Sequence, residues 1–290
     1  MKLTNLLPAR FRRDRVVIPV VRLHGAIMAQ ATPFRSVLSL AAVAPVLDRA
    51  FQFKRAPAVA LSVNSPGGSA VQSRLIYSRI RELAERYDKQ VLVFVEDVAA
   101  SGGYMIALAG DEIIADQTSI VGSIGVVAAM FGFDKAITRI GIDRRVYTAG
   151  DNKVLLDPFQ PEKPKDVDHL KGLQADIHRI FIDMVRTRRA GRLAEDDTLF
   201  SGLFWTGSEA RRLGLVDGLG LMAPIIRSRF GDKAEMRLVQ PRRGLFGRPQ
   251  PGISAAAPIA GELGAGFAAA LPAALIEAAE ERALWARFGL

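Results

Sequence analysis

Ala58-Val59-Ala60-Leu61-Ser62-Val63-Asn64-Ser65-Pro66-Gly67-Gly68 runs from apolar residues straight into a Pro-Gly-Gly turn, and a helical period starts at Val71. A short apolar run bounded by turn residues reads as a strand over 58–63. Ile76, Ile80, Leu83 and Tyr87 then recur at helical spacing, which predicts a helix over 71–87 with one apolar stripe against a sheet and Arg79, Arg81, Glu82 and Glu85 in water. The same alternation extends outward in both directions. Strands are expected at 16–23, 90–95 and 112–115, helices at 102–109 and 165–189, the last with Leu170, Leu173, Ile177, Phe181 and Met184 facing inward. Thr206 and Glu209 have capping-box spacing for a short helix that Gly214 can end. Strand and helix in alternation predict an α/β fold.

Composition narrows the chemistry. The 290 residues include no cysteine, which excludes disulfides, thiolate zinc sites and a thiolate nucleophile. The net charge of +9 invites nucleic acid or anionic lipid as a partner. Aromatics make up only 7%, however, and the basic residues are scattered, so nucleic acid is not expected. No stretch has the roughly 20 mostly apolar residues of a membrane span. Arg10, Arg12, Arg13 and Arg15 before an apolar run imitate a secretory signal, but Pro19, Arg22 and His24 interrupt that run, which reads better as the first strand.

Four segments follow. Residues 1–15 combine Leu3, Leu6, Leu7 and Phe11 with Lys2 and the arginines, a basic amphipathic segment suited to an anionic membrane surface. Residues 16–239 form the α/β domain, and 240–254 are a Pro/Gly/Arg linker. Residues 255–290 are an alanine-rich, partly helical tail that can dock on the body or on a membrane surface without crossing it. The expected location is cytoplasmic or peripheral on the cytoplasmic membrane.

Two turns carry the candidate chemistry. Gly67 and Gly68 leave backbone N–H groups unobstructed, as an oxyanion requires, although Pro-Gly-Gly alone is a common loop. Ala100-Ser101-Gly102-Gly103-Tyr104 lies between an expected strand and an expected helix, which puts Ser101 at a helix N-terminus. Serine there is ordinarily a cap. A cap does not need Gly-Gly behind it, and glycine weakens a helix, so close backbone approach is the competing reading. A nucleophilic serine needs a base. His24, His169 and His178 sit in no recognisable Ser-His-Asp pattern, which leaves a lysine, with Lys135 and Lys153 both downstream.

These residues resemble a family. The blocks Val63–Gly68, Ala100–Tyr104, Val121-Gly122-Ser123-Ile124-Gly125-Val126 and Trp205-Thr206-Gly207 through Leu213-Gly214-Leu215-Val216-Asp217 occur in the order seen in signal peptide peptidase A-like S49 serine peptidases. The resemblance implies a ClpP/crotonase-like spiral of repeated ββα units and a Ser-Lys dyad. It implies Ser101 as nucleophile, Lys153 as base, Gly68 and Gly102 as oxyanion donors and Ser123 as the lysine's orienting partner. Lys135 is the reserve base, with an ordinary surface lysine as its plainer reading. A homo-oligomer, apolar peptides such as signal-peptide remnants as substrates, no metal and no organic cofactor are expected, with part of 126–133 lining the substrate pocket. The alternatives are a crotonase-like acyl-CoA enzyme on the same fold and an idle membrane-surface scaffold.

Overall fold

The computed structural model describes residues 15–29, 37–240, 279 and 282–290. Residues 1–14 of the expected N-terminal segment 1–15, and 241–278 and 280–281 of the expected linker and tail, lie outside the described residues. The α/β fold is observed. Its strands are β1 (Val17–His24), β2 (Ala58–Ser65), β3 (Gln90–Ala100), β4 (Glu112–Ala115), β5 (Ile120–Gly122), β6 (Phe204–Thr206), β7 (Gly218–Leu219) and β8 (Glu235–Leu238). The helices are α1 (Leu40–Phe51), α2 (Ala70–Tyr87), α3 (Gly102–Ala107), α4 (Asp134–Arg139), α5 (Pro164–Arg188), α6 (Gly207–Arg212) and α7 (Met222–Phe230).

The sheet is parallel except where β5 meets β6, in the order β6-β5-β3-β2-β1-β8, with β4 on β3 and β7 on β4. β2 and β3 are near-continuous apolar runs because a parallel sheet buries both faces of its central strands. Pro19 lies in β1 ahead of the first β1–β2 pair, Val20 with Ala60, so its missing N–H leaves that ladder intact. One face carries Leu47, Phe51, Ile76, Ile80 and Leu83 of α1 and α2, and the other packs Ile18, Ala60, Leu92 and Phe94 against Ile226 of α7.

β3 positions the site. Val63 pairs with Val95 and Ser65 with Ala99, so β3 bulges between them. Asn64 spans the bulge, accepting from Val98 N–H at 3.2 Å and donating to Asp97 at 2.6 Å. Before the bulge β3 pairs with β4; after it Val98, Ala99 and Ala100 pair with β5. The sheet therefore forks, and the end of β3 delivers Ser101 beside β5.

The Trp205–Asp217 block closes the structure behind the site. Thr206 caps α6 as expected, accepting from Glu209 N–H at 3.4 Å. Buried Arg189 donates to Asp217 at 2.7 Å and to the Gly214 carbonyl at 2.8 Å, and buried Tyr104 donates to the Leu215 carbonyl at 2.8 Å. Burial pushes the Asp217 carboxyl up, but bonds from Arg189 and the Ile113 N–H and the charges of Arg189 and Arg192 hold it below its ordinary value. One expectation changes. On α5, Phe181 and Val185 are buried, but Leu173 is 49% and Ile177 38% exposed, so the apolar stripe is only partly covered within one chain. A repeating period shows which side of a helix is apolar, not what covers it.

Candidate active site

Ser101 has φ 52° and ψ −121°, a backbone conformation that side chains other than glycine rarely adopt and that costs about 1–3 kcal/mol. The fold holds it there: its N–H donates to the Gly122 carbonyl at 2.8 Å, and its own carbonyl accepts from Met105 N–H at 3.0 Å. Its hydroxyl does not cap α3. Ser39 and Ser69 stand in the same position before α1 and α2, with negative φ, and both hydroxyls accept from the first turn. The positive φ of Ser101 turns its side chain out of capping range, so the plain-cap reading of this serine does not hold.

The Pro-Gly-Gly turn is pressed against Ser101. A Cβ at Gly67 would fall 2.8 Å from the Ser101 Cβ, and one at Gly68 only 2.1 Å from the Ile27 carbonyl oxygen. Ile27 pairs with this turn as a one-residue parallel bridge. Its N–H donates to Gly67 O at 2.8 Å, and its carbonyl accepts from Ser69 N–H at 2.7 Å. In such a bridge the residue between the two bonds points its own N–H the other way. Gly68 is that residue, and its N–H donates to no backbone carbonyl among the described residues. Gly102, the first residue of α3, is likewise free as a donor, and its position is tight: a Cβ there would meet the Ser73 Oγ at 2.3 Å and lie 3.4 Å from Gly68 N. Two backbone donors without a backbone acceptor among the described residues therefore lie beside the serine.

Ser101, Gly68 and Gly102 share the wall of a cavity of about 240 Å³ with Met105, Val126, Val127, Ile177 and Phe181. Of the 126–133 stretch, Val126 and Val127 reach this cavity, whereas Ala128–Gly132 line a separate one of about 700 Å³ together with Lys135. Lys153 is exposed, follows the turn at Gly150, and is not on the Ser101 cavity wall. Ser123 is buried with φ 53°, and its N–H donates to Leu203 O at 2.7 Å. It sits one residue beyond the carbonyl that holds Ser101 but does not wall the cavity. One copy of the chain thus assembles the serine and both donors and leaves the lysines outside.

None of the three histidines lines the Ser101 cavity. His178 Nε2 lies 3.0 Å from the Ile124 carbonyl, which makes that nitrogen a donor, and His169 is exposed. His24 Nε2 lies 2.8 Å from Ser62 Oγ, which itself donates to Glu96. Burial lowers the His24 pKa against the opposing pull of Glu96. Among the described residues neither a histidine nor a carboxylate lines the Ser101 cavity. Sequence reading missed Ile27, whose contribution is a backbone bridge with no side-chain signature, and Ser73, the small buried residue beneath Gly102.

A strained serine beside two backbone N–H groups in an apolar cavity, set in an α/β fold, is an arrangement that can carry nucleophilic attack by a hydroxyl on a carbonyl carbon. The chain matches peptidase family S49 over residues 84–233 and belongs to that family. It is 60% identical over 294 residues to the protein named Na(+)/H(+) antiporter NhaA of Brucella melitensis biotype 1, a match covering 99% of this chain and 39% of that protein. It is 30% identical over 212 residues to the chloroplastic serine protease SPPA of Arabidopsis thaliana, covering 72% of this chain and 31% of that one. The chain thus spans well under half the length of these curated relatives. Among the described residues no helix is long and apolar enough to cross a membrane. Among solved structures, a 1510-N membrane-bound stomatin-specific protease aligns with a TM-score of 0.47 and 16% identity, covering 79% of this chain and 99% of that one.

Proposed function

We propose that this chain is a serine peptidase with Ser101 as nucleophile. The observation that carries the reading is the Ser101 backbone at φ 52°, which withholds the hydroxyl from helix capping and sets it on a cavity wall with Gly68 and Gly102. Ser101 Oγ attacks the scissile carbonyl carbon, and its proton passes to a lysine amine. The negative charge that forms on the carbonyl oxygen is met by the Gly68 and Gly102 N–H groups. Collapse of the tetrahedral intermediate breaks the C–N bond, and the leaving amine takes the proton from the lysine. Water then hydrolyses the acyl-enzyme by the same route.

Lys153 is the proposed base, with Ser123 orienting its amine and Lys135 in reserve. Because Lys153 is not on its own chain's cavity wall, assembly of several copies belongs to the proposal. Val127, Met130, Phe131, Ile140 and Tyr147 are exposed on the segment that carries both lysines, with Tyr147 90% accessible. A second copy covering these side chains removes apolar surface from water and draws a Lys153 to Ser101. The apolar cavity supports apolar peptides, such as remnants of signal peptides, as substrates. An acyl-CoA enzyme on this fold would need a carboxylate acid/base, and among the described residues none lines the cavity. Location in the cytoplasm or on the membrane surface through residues 1–15 is part of the same proposal.

The test is labelling by a serine-reactive phosphonate probe, alongside hydrolysis of an apolar peptide. Both should occur with the wild type and disappear in Ser101→Ala with the circular dichroism unchanged. Acyl-CoA turnover without peptide hydrolysis would overturn the reading.

A further inference from the structure

The cavity at Ser101 has a wall from the far end of the chain. Leu284 and Arg287 line it, although the catalytic turns lie between residues 66 and 125. They are brought there by an anchor. Phe288 is 8% exposed and clusters with Val98 and Ala100, the end of β3 that leads directly into Ser101, with Trp285 and Ile120 packed against it. The Phe288 ring stands edge-on to Phe204 of β6, with centroids 5.0 Å apart. Backbone bonds from Phe288 N–H and Leu290 N–H to the Trp285 carbonyl, at 2.9 and 3.3 Å, fold the segment into a compact turn. That turn sets Leu284 and Arg287 on one side of the buried ring.

Among the described residues that line this cavity Arg287 is the charged side chain, and the remainder are apolar apart from Ser101 itself. Its guanidinium carbon lies 5.8 Å from the Phe288 ring centroid, so the anchor also supports the charge. A guanidinium is always charged and presents a planar fork of donors that fits a carboxylate. Arg287 is exposed at the rim of the cavity, so such a bond is partly screened by solvent and contributes modestly. We infer that the segment 282–290 is part of the substrate site and that Arg287 selects peptides carrying a carboxylate close to the scissile bond. This inference rests on the serine peptidase reading of the cavity. The carboxylate can be an acidic side chain or the free C-terminus of the peptide.

Two pairs of peptides on one apolar core separate these sources: Glu against Gln beside the scissile bond, and free acid against amide at the C-terminus. In the full chain the carboxylate member of the responsive pair should be favoured in kcat/KM by about tenfold, which corresponds to about 1.4 kcal/mol. Arg287→Gln should bring the ratio near one, and Arg287→Glu should invert it towards a lysine-bearing peptide. Phe288→Ala, which removes the anchor, should also erase the preference. The same pairs are measured by fluorescence anisotropy for binding to Ser101→Ala, which needs no turnover. Ratios that Arg287→Gln and Arg287→Glu leave unchanged in both pairs overturn the role of Arg287, and a ratio that survives Phe288→Ala overturns the anchor. Absence of peptide hydrolysis by the wild type removes the peptidase reading instead, while the binding ratios still decide whether Arg287 selects a carboxylate.

Discussion

Replacing Gly68 by alanine tests the oxyanion site at its most constrained point. The added Cβ would fall 2.1 Å from the Ile27 carbonyl oxygen, a backbone atom that cannot rotate away, at a residue with φ +136°. The turn must therefore shift. Strain at such a position costs about 1–3 kcal/mol. The two bonds that Ile27 makes to Gly67 and Ser69 weaken with the shift, at about 0.5–1.5 kcal/mol each. The expected loss of stability is about 2–6 kcal/mol, within a total of about 5–15 kcal/mol for a typical domain. The larger effect is on turnover, because the shift moves the Gly68 N–H away from the developing oxyanion. Losing one such donor costs about 10²–10³ in kcat, with little change in KM because the bond strengthens only in the transition state. Gly231→Ala is the control: its φ is +93°, nothing lies within 4 Å of the added Cβ, and it caps α7 away from the cavity. Urea unfolding and peptide kinetics on both variants make the comparison. If Gly68→Ala retains wild-type kcat, or if Gly231→Ala loses as much, the bridge to Ile27 does not aim the donor.

Lys153→Met should abolish peptide hydrolysis by about 10²-fold or more, as removal of a general base does, while Lys135→Met keeps most of it. Mixing Ser101→Ala with Lys153→Met under subunit exchange should restore part of the activity if neighbouring copies share the site; no recovery, with light scattering showing a monomer, would contradict assembly. Asp217→Ala leaves Arg189, 2% exposed, buried without its carboxylate and should cost about 3–5 kcal/mol in chemical denaturation. Because the folded Asp217 pKa lies below its ordinary 3.8, its contribution is complete above that value and is lost as pH falls through the folded pKa. Acid titrations of the wild type and Asp217→Asn should therefore differ in slope only in that low window. Deleting residues 1–15 should abolish salt-sensitive co-sedimentation with anionic vesicles, each basic residue near the surface contributing about 1 kcal/mol; sedimentation unaffected by salt or by the deletion counts against membrane binding.

The elements were legible in the sequence because each is a local pattern. The apolar run at 58–63 appears as β2, the stripe Ile76, Ile80 and Leu83 faces the core from α2, and Thr206 caps α6. Glycine pairs flagged both turns of the candidate site, since a residue without Cβ is needed where backbones approach this closely. Periodicity does not name a distant partner. The bridge that frees the Gly68 N–H comes from the backbone of Ile27, and the strain that turns Ser101 out of its cap depends on Gly122 of a neighbouring strand. The partly exposed stripe of α5 looks in sequence like any buried one. Which histidines are occupied, that both lysines stand outside the Ser101 cavity and which end of the chain walls it were decided by tertiary contacts. Composition and spacing establish which groups are available, whereas the path of β3 through its bulge and fork decides which of them meet.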